Sequence, residues 1–245
     1  MGDSQRDFIL SQHRATVIGS GVRRIHFSAG KMEIRKHGPR MVYFHLSDAF
    51  FNAWMHALHY AGKTRIKFTM RQYPRLMKLF RRKTKDHELR ISTVSPPLVW
   101  LEAGANQLRV SGHVVCQLFG TTKHYSYQPE KGATVSLEFE AFLQPIFARK
   151  TVKTWPAKLE SRYVASAKLA RFRFTDAKLS NHGYVYRAKY RRTMGFLRHV
   201  FKNSLGRALA KGVQLPRLKH TDLENVEWKI YESQTAELAV DLKAN

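Results

Sequence analysis

Leu179-Ser180-Asn181-His182-Gly183 opens the stretch that decides the fold. It runs on through a basic segment, Tyr184 to Lys211, then Gly212-Val213-Gln214-Leu215-Pro216, then two alternating runs ending at Leu242. Tyr190, Met194, Leu197 and Phe201 recur at helical spacing, with Arg187, Arg191, Arg198 and Lys202 as a neighbouring stripe. The spacing predicts a long helix over 184–211, stopped by Gly212 and Pro216. Val226, Trp228 and Ile230, then Leu238, Val240 and Leu242, predict a closing pair of strands around Ser233-Gln234.

Upstream the period changes to two. Val135, Leu137, Phe139, Ala141 and Leu143 alternate with Ser136, Glu138 and Glu140, and Leu108, Val110, Val114, Cys116 and Leu118 share one phase of a long strand. Glu138 and Glu140 read as ordinary outward positions. Between Tyr163 and Leu179 the apolar phase slips from Ala167 and Leu169 to Phe172 and Phe174, which predicts a bulge or strong bend. Met41 to Leu46 reads as a short strand and Ser47 as a helix N-cap. Phe50, Phe51, Trp54, Met55 and Leu58 then make an aromatic helix face that Gly62 ends. Ile66, Phe68 and Met70 alternate with basic residues in a strand, and Pro74 to Lys85 reads as a short helix. Residues 1–40, interrupted by glycines and Pro39, read as a linker or poorly ordered arm, and 41–245 as one domain. Long bent antiparallel strands with two apolar-faced helices make an α+β fold.

Three stretches, in order, carry a resemblance: Met41-Val42-Tyr43-Phe44-His45-Leu46-Ser47-Asp48-Ala49-Phe50-Phe51-Asn52, then Ser95-Pro96-Pro97, then Leu179 to Leu242. Together they resemble the C-terminal half of the bactericidal/permeability-increasing, lipopolysaccharide-binding and lipid transfer protein family. The resemblance implies a highly curved antiparallel sheet wrapped around a long helix, with a second helix alongside. It also implies a secreted lipid binder, without a catalytic step or cofactor, whose apolar pocket lies between helices and sheet. Its ligands would be phospholipid, acyl chains or lipopolysaccharide, with an innate antibacterial role among the expected functions. The family's endotoxin-binding surface and its disulfide lie in the other half, which another part of the protein or another chain would supply. No residue of either is carried over.

Under that resemblance Phe50, Phe51, Trp54, Met55 and Leu58, with Met194, Leu197, Phe201 and Leu205, are candidate lipid-lining residues. The same residue types would equally pack a solid core. Forty-three basic against eighteen acidic residues give a net charge of +25, which calls for anionic partners. No acid interrupts Lys63 to Lys85, a run that includes Lys63, Arg65 and Lys67, and none interrupts Arg187 to Lys219. Arg75, Lys78, Arg81, Arg82, Lys83 and Lys85, with Arg191, Arg198 and Lys202, are therefore candidate headgroup or membrane-surface cations. Nonspecific nucleic-acid binding is the alternative that such charge allows, although no helix-turn-helix, zinc finger or K-homology motif is present.

An enzyme is not expected: no Gly-x-Ser-x-Gly elbow, phosphate-binding loop or dinucleotide fingerprint occurs. His56 and His59 sit one helical turn apart without a nearby acid or thiol, so no metal site is expected. The single cysteine, Cys116, excludes an intramolecular disulfide and lies on an apolar strand phase. The opening Met-Gly-Asp-Ser-Gln-Arg-Asp lacks the basic start and apolar stretch of a signal peptide, so any secretion signal is expected outside this sequence.

Overall fold

Period-two patterning over very long runs produces very long strands. The computed structural model describes residues 39–69, 87–121, 127–154, 158–179, 187–215 and 221–244. Its elements are β1 (Val42–Ser47), α1 (Asp48–Tyr60), β2 (Ile66–Thr69), β3 (His87–Thr93), β4 (Leu98–Glu102) and β5 (Gln107–Thr121), then β6 (Tyr127–Thr154), β7 (Lys158–Leu179), α2 (Arg187–Lys211), β8 (Val213–Gln214), β9 (Thr221–Tyr231) and β10 (Thr235–Ala244). Strands β2-β3-β5-β6-β7-β8 run in that order as an antiparallel sheet, with β4 also pairing β5. A second sheet has the order β1-β10-β9. The expected short helix over 74–85 and the arm before Pro39 lie outside the described residues.

Strand β6 has 28 residues and would reach about 90 Å if straight. It curls instead, and the sheet forms a half-barrel. The register locates the bends. Phe142 pairs Arg171 while Leu143 pairs Leu169, leaving Ala170 as an extra residue on β7. A second shift leaves Thr175 between Asp176, opposite Glu138, and Phe174, opposite Phe139. Each inserted residue sharpens the local twist and re-aims the side chains beyond it. This is the phase slip seen in the sequence, and its place was legible there.

The inner face of the half-barrel carries the core: Leu89, Ile91, Val110, Val114, Cys116, Leu137, Ala141, Phe172 and, from α2, Leu197, Val200 and Phe201. Phe51 and Met55 of α1 pack against the same cluster, so both helices lie on this face. Phe201 stacks on Phe172 at 5.9 Å and meets the edge of Phe174 at 5.5 Å. Burying a side chain of this size contributes about 1.5–3 kcal/mol. The small sheet joins through a second cluster, Leu101, Ile230 and Ala236. Arg40, the last residue of the expected arm, donates to Asp241 and Glu227 and so ties the start of β1 to β10 and β9.

Helix ends follow local chemistry. Ser47 has extended backbone but its hydroxyl makes no cap bond; the neighbouring Asp48 Oδ1 accepts from Ala49 N–H at 2.7 Å. At the other end Lys63 N–H reaches Leu58 O and Gly62 N–H reaches His59 O, with Gly62 at φ +68°. That is the paired-bond helix stop that a glycine permits. Gly212 ends α2 at φ +67°, and a Cβ there would lie 2.6 Å from Ala165 O. Glycine is required at this position twice over, by backbone conformation and by space. The Asn52 amide bonds both Val99 N–H and Val99 O, at 2.8 and 3.0 Å, and so substitutes for a strand along the free edge of β4.

Candidate functional site

Helix α2 does two different things along its length. Through Phe201 it is plugged into the core. From Lys202 onward the helix divides: Leu205 and Leu209 still pack against the core, while Asn203, Gly206 and Ala210 on the adjoining side are too small to fill the space beside the sheet. An open groove of about 1250 Å³ results, bounded by α2, β2, β6 and β7. Its apolar lining comes from Phe68, Ile146, Ala148, Ala167, Leu169 and Ala210. Gly206 has open space where a side chain would stand. Small-molecule pockets typically hold about 300–1,000 Å³, so this groove has room for something larger.

The rim is cationic. Lys67 comes from β2, Lys150 from β6, Lys168 from β7, and Lys202 and Arg207 from α2. Among the described residues the lining includes no Asp, Glu, His, Tyr or Trp. Lys150 Nζ donates to Ala210 O at 3.2 Å, at the carbonyl end of the helix where a cation is favoured. No ion pair to Lys67, Lys168, Lys202 or Arg207 occurs among the described residues. Lys67 belongs to the first acid-free run and Lys202 and Arg207 to the second, so the fold brings members of both runs to one groove.

The end of β6 is used on two sides. Ile146, Ala148 and Lys150 line the groove. Phe147 instead meets Trp228 at 5.7 Å, and Arg149 reaches Leu223 O and Glu224 of the small sheet. The strand is thereby held by the small sheet while its other side stays open to the groove.

Of the sequence-derived candidates, Lys202 lines this groove. Leu197 and Phe201 are buried in the core, and Met194 and Leu205 pack against it. Phe50 and Phe51 contact each other edge to face, Phe51 also meets Trp228, and Met55 packs on the large core. Leu58 is half-buried on the same helix. Trp54 is 43% exposed, because Ala53 and Ala57 take the close contact of α1 with the sheet. Arg198 is exposed and donates to Phe172 O at 3.1 Å, beside a smaller cleft of about 450 Å³ shared with Met194 and Arg173. Arg75, Lys78, Arg81, Arg82, Lys83 and Lys85 lie outside the described residues, as does the side chain of Arg191. The sequence reading missed Lys67, Lys150, Lys168 and Arg207 as a group. The signal available was Gly206 and Ala210, one helical turn apart, flanked by Lys202 and Arg207.

Glu140 departs from its expected outward role. It is 9% exposed, because Arg173, directly opposite on β7, and Arg109 on β5 close over its carboxylate. This ion cluster is structural, and none of its three residues lines the groove. Burial pushes the Cys116 thiol up to about 12, so it is an inert filler at neutral pH. His59 is held below its ordinary value, first by burial and then by the charges of His56 and Arg65; its Nδ1 lies 2.5 Å from Thr93 Oγ1. Among the described residues no group of three or more His, Cys, Asp or Glu is placed to hold a metal ion. Nor is any described helix long and apolar enough to cross a membrane.

Residues 4–119 match the LBP / BPI / CETP family, C-terminal domain. That match, over somewhat less than half of the chain, agrees with the family resemblance seen in the sequence. Two of the three stretches that suggested it, Met41–Asn52 and Ser95–Pro97, fall within the LBP / BPI / CETP match, and Leu179–Leu242 lies beyond it. The crystal structure of a lipopolysaccharide binding protein aligns at 16% identity and a TM-score of 0.43, over 90% of this chain and 47% of that one. The chain thus spans about half the length of that protein. No curated protein sequence matches the chain.

Proposed function

We propose that this chain is a lipid-binding domain that holds a phospholipid or a single acyl chain in the groove beneath the second half of α2. One observation supports the reading: an open groove with an apolar lining and a rim of cations, built where one side of the helix turns to small residues. Apolar lining replaces water around hydrocarbon, and cations at the rim meet a charged headgroup that stays partly hydrated. The family match supports a lipid rather than a soluble metabolite as the occupant. We propose binding and carriage without a catalytic step.

The excess of positive charge adds attraction to anionic membrane surfaces, lipopolysaccharide among them, and such attraction weakens as salt rises. A secreted protein with an antibacterial role is the setting we infer from the family. Native mass spectrometry of the purified protein, followed by organic extraction, tests the central reading. A stoichiometric lipid released on extraction is the expected result. A protein that arrives empty and takes up no added lipid, yet shifts oligonucleotides at physiological salt, would establish the nucleic-acid alternative instead.

A further inference from the structure

We propose that the groove discriminates between lipid headgroups, taking acidic phospholipids and rejecting zwitterionic ones; this rests on the lipid-binding reading above. Lys67, Lys168, Lys202 and Arg207 converge from three separate elements, and among the described residues none has a carboxylate partner. Lys150 is partly occupied by the Ala210 carbonyl, and Arg207 Nε donates to Asn203 O at 3.4 Å, which leaves Lys67, Lys168, Lys202 and the outer nitrogens of Arg207 to a ligand. Like charges gathered in this way repel one another, and a bound phosphate relieves that cost.

A zwitterionic headgroup brings a cation of its own beside the phosphate. To hold it, a site needs a carboxylate or an aromatic face. The groove lining has no Asp, Glu, Tyr or Trp among the described residues, and its one aromatic, Phe68, is 7% exposed and offers a cation little ring face. A choline or ammonium group would be left among lysines, a like-charge juxtaposition that opposes binding. An acidic headgroup, with a phosphate and no cation, meets only partners. The apolar lining and the rim thus act in sequence, the first selecting a lipid and the second its charge.

Net charge alone would draw acidic vesicles to any face of this protein, so the test uses short-chain lipids below their micelle concentration, at about 0.5 M salt, where charges more than a few ångströms apart are screened. Dihexanoyl phosphatidylglycerol and dihexanoyl phosphatidylcholine are titrated by calorimetry into the full chain, into Lys168→Gln/Lys202→Gln, and into Arg171→Gln/Lys229→Gln. The last pair removes the same charge away from the groove. The expected result is binding of the glycerol lipid at least tenfold tighter than the choline lipid. The groove pair should reduce that preference about tenfold and the control pair should leave it unchanged, with circular dichroism matching throughout.

Equal affinity for the two lipids overturns the discrimination while leaving the lipid reading in place. Binding of neither lipid removes the lipid reading and this inference with it. Equal loss in both variant pairs assigns the preference to overall charge and overturns the groove as its origin. Full competition by glycerol phosphate at the same concentration as the lipid marks a phosphate site without a lipid component, and that too overturns the proposal.

Discussion

The two halves of α2 make opposite use of one helix. Up to Phe201 its inward side chains are large and apolar and meet Phe172 and Phe174, so space between helix and sheet is filled. Beyond it Leu205 and Leu209 keep one side of the helix on the core, but the side facing the groove shrinks to Asn203, Gly206 and Ala210, with Lys202 and Arg207 at the edges. Nothing in the backbone changes: the helix runs unbroken from Arg187 to Lys211. The difference teaches that the side-chain volume on one side of the helix decides where this sheet is a core and where it is a container. The first half anchors the helix, and the second half is free to leave a gap because that anchor exists.

Substituting in each half should therefore have opposite consequences. Leu197→Ala leaves a cavity in the filled half and is expected to cost about 2–5 kcal/mol, read as a lower midpoint in urea unfolding. Its lipid capacity, measured by extraction from the folded protein, should not change. Gly212→Ala comes next, because positive φ costs about 1–3 kcal/mol for a residue with a side chain and the new methyl also meets the Ala165 carbonyl. Gly206→Leu should do the reverse of Leu197→Ala. It replaces a mid-helix glycine in open space and is expected to raise stability by about 0.5–1 kcal/mol. The same side chain would project into the groove and abolish lipid uptake. A Gly206→Leu protein that still binds a full equivalent of lipid would place the ligand elsewhere, with the smaller cleft beside Arg198 the next candidate.

Sequence alone was informative where a local rule forces the outcome. The bend near Ala170 follows from a phase slip of one residue, the end of α2 from Gly212, and the hairpin from the Ser233-Gln234 turn, with Gln234 at φ +56°. The groove was not legible in the same way. Its cations come from β2, β6, β7 and α2, which no sequence spacing relates, and hydrophobic periodicity marks residues that fill space, never the space they leave. The aromatic face of α1 shows the same limit. Large side chains drew attention to Trp54, yet the close approach of the helix is made by Ala53 and Ala57. Small residues at helical spacing were the informative signal in both helices. Glu140 escaped for a related reason, since its two arginines arrive from neighbouring strands.

The smallest expected effect separates the groove from the rest of the fold by pH. Among the described residues the groove lining holds no histidine and no carboxylate. Affinity for phosphatidylglycerol, whose phosphodiester is ionised throughout, should be flat between about pH 5 and 8. Stability should not be flat. His59, at the far end of α1, is held below its ordinary value, chiefly by burial, so the folded state resists protonating it. In the window between its folded value and about 6.5 the unfolded chain binds the extra proton. Stability is therefore fully present above about 6.5 and declines as pH falls through the window. His59→Gln, which keeps a polar partner for Thr93, should remove that slope while leaving lipid affinity untouched. If lipid affinity instead followed the stability curve, binding would be coupled to α1, and the two halves of α2 would no longer be separable.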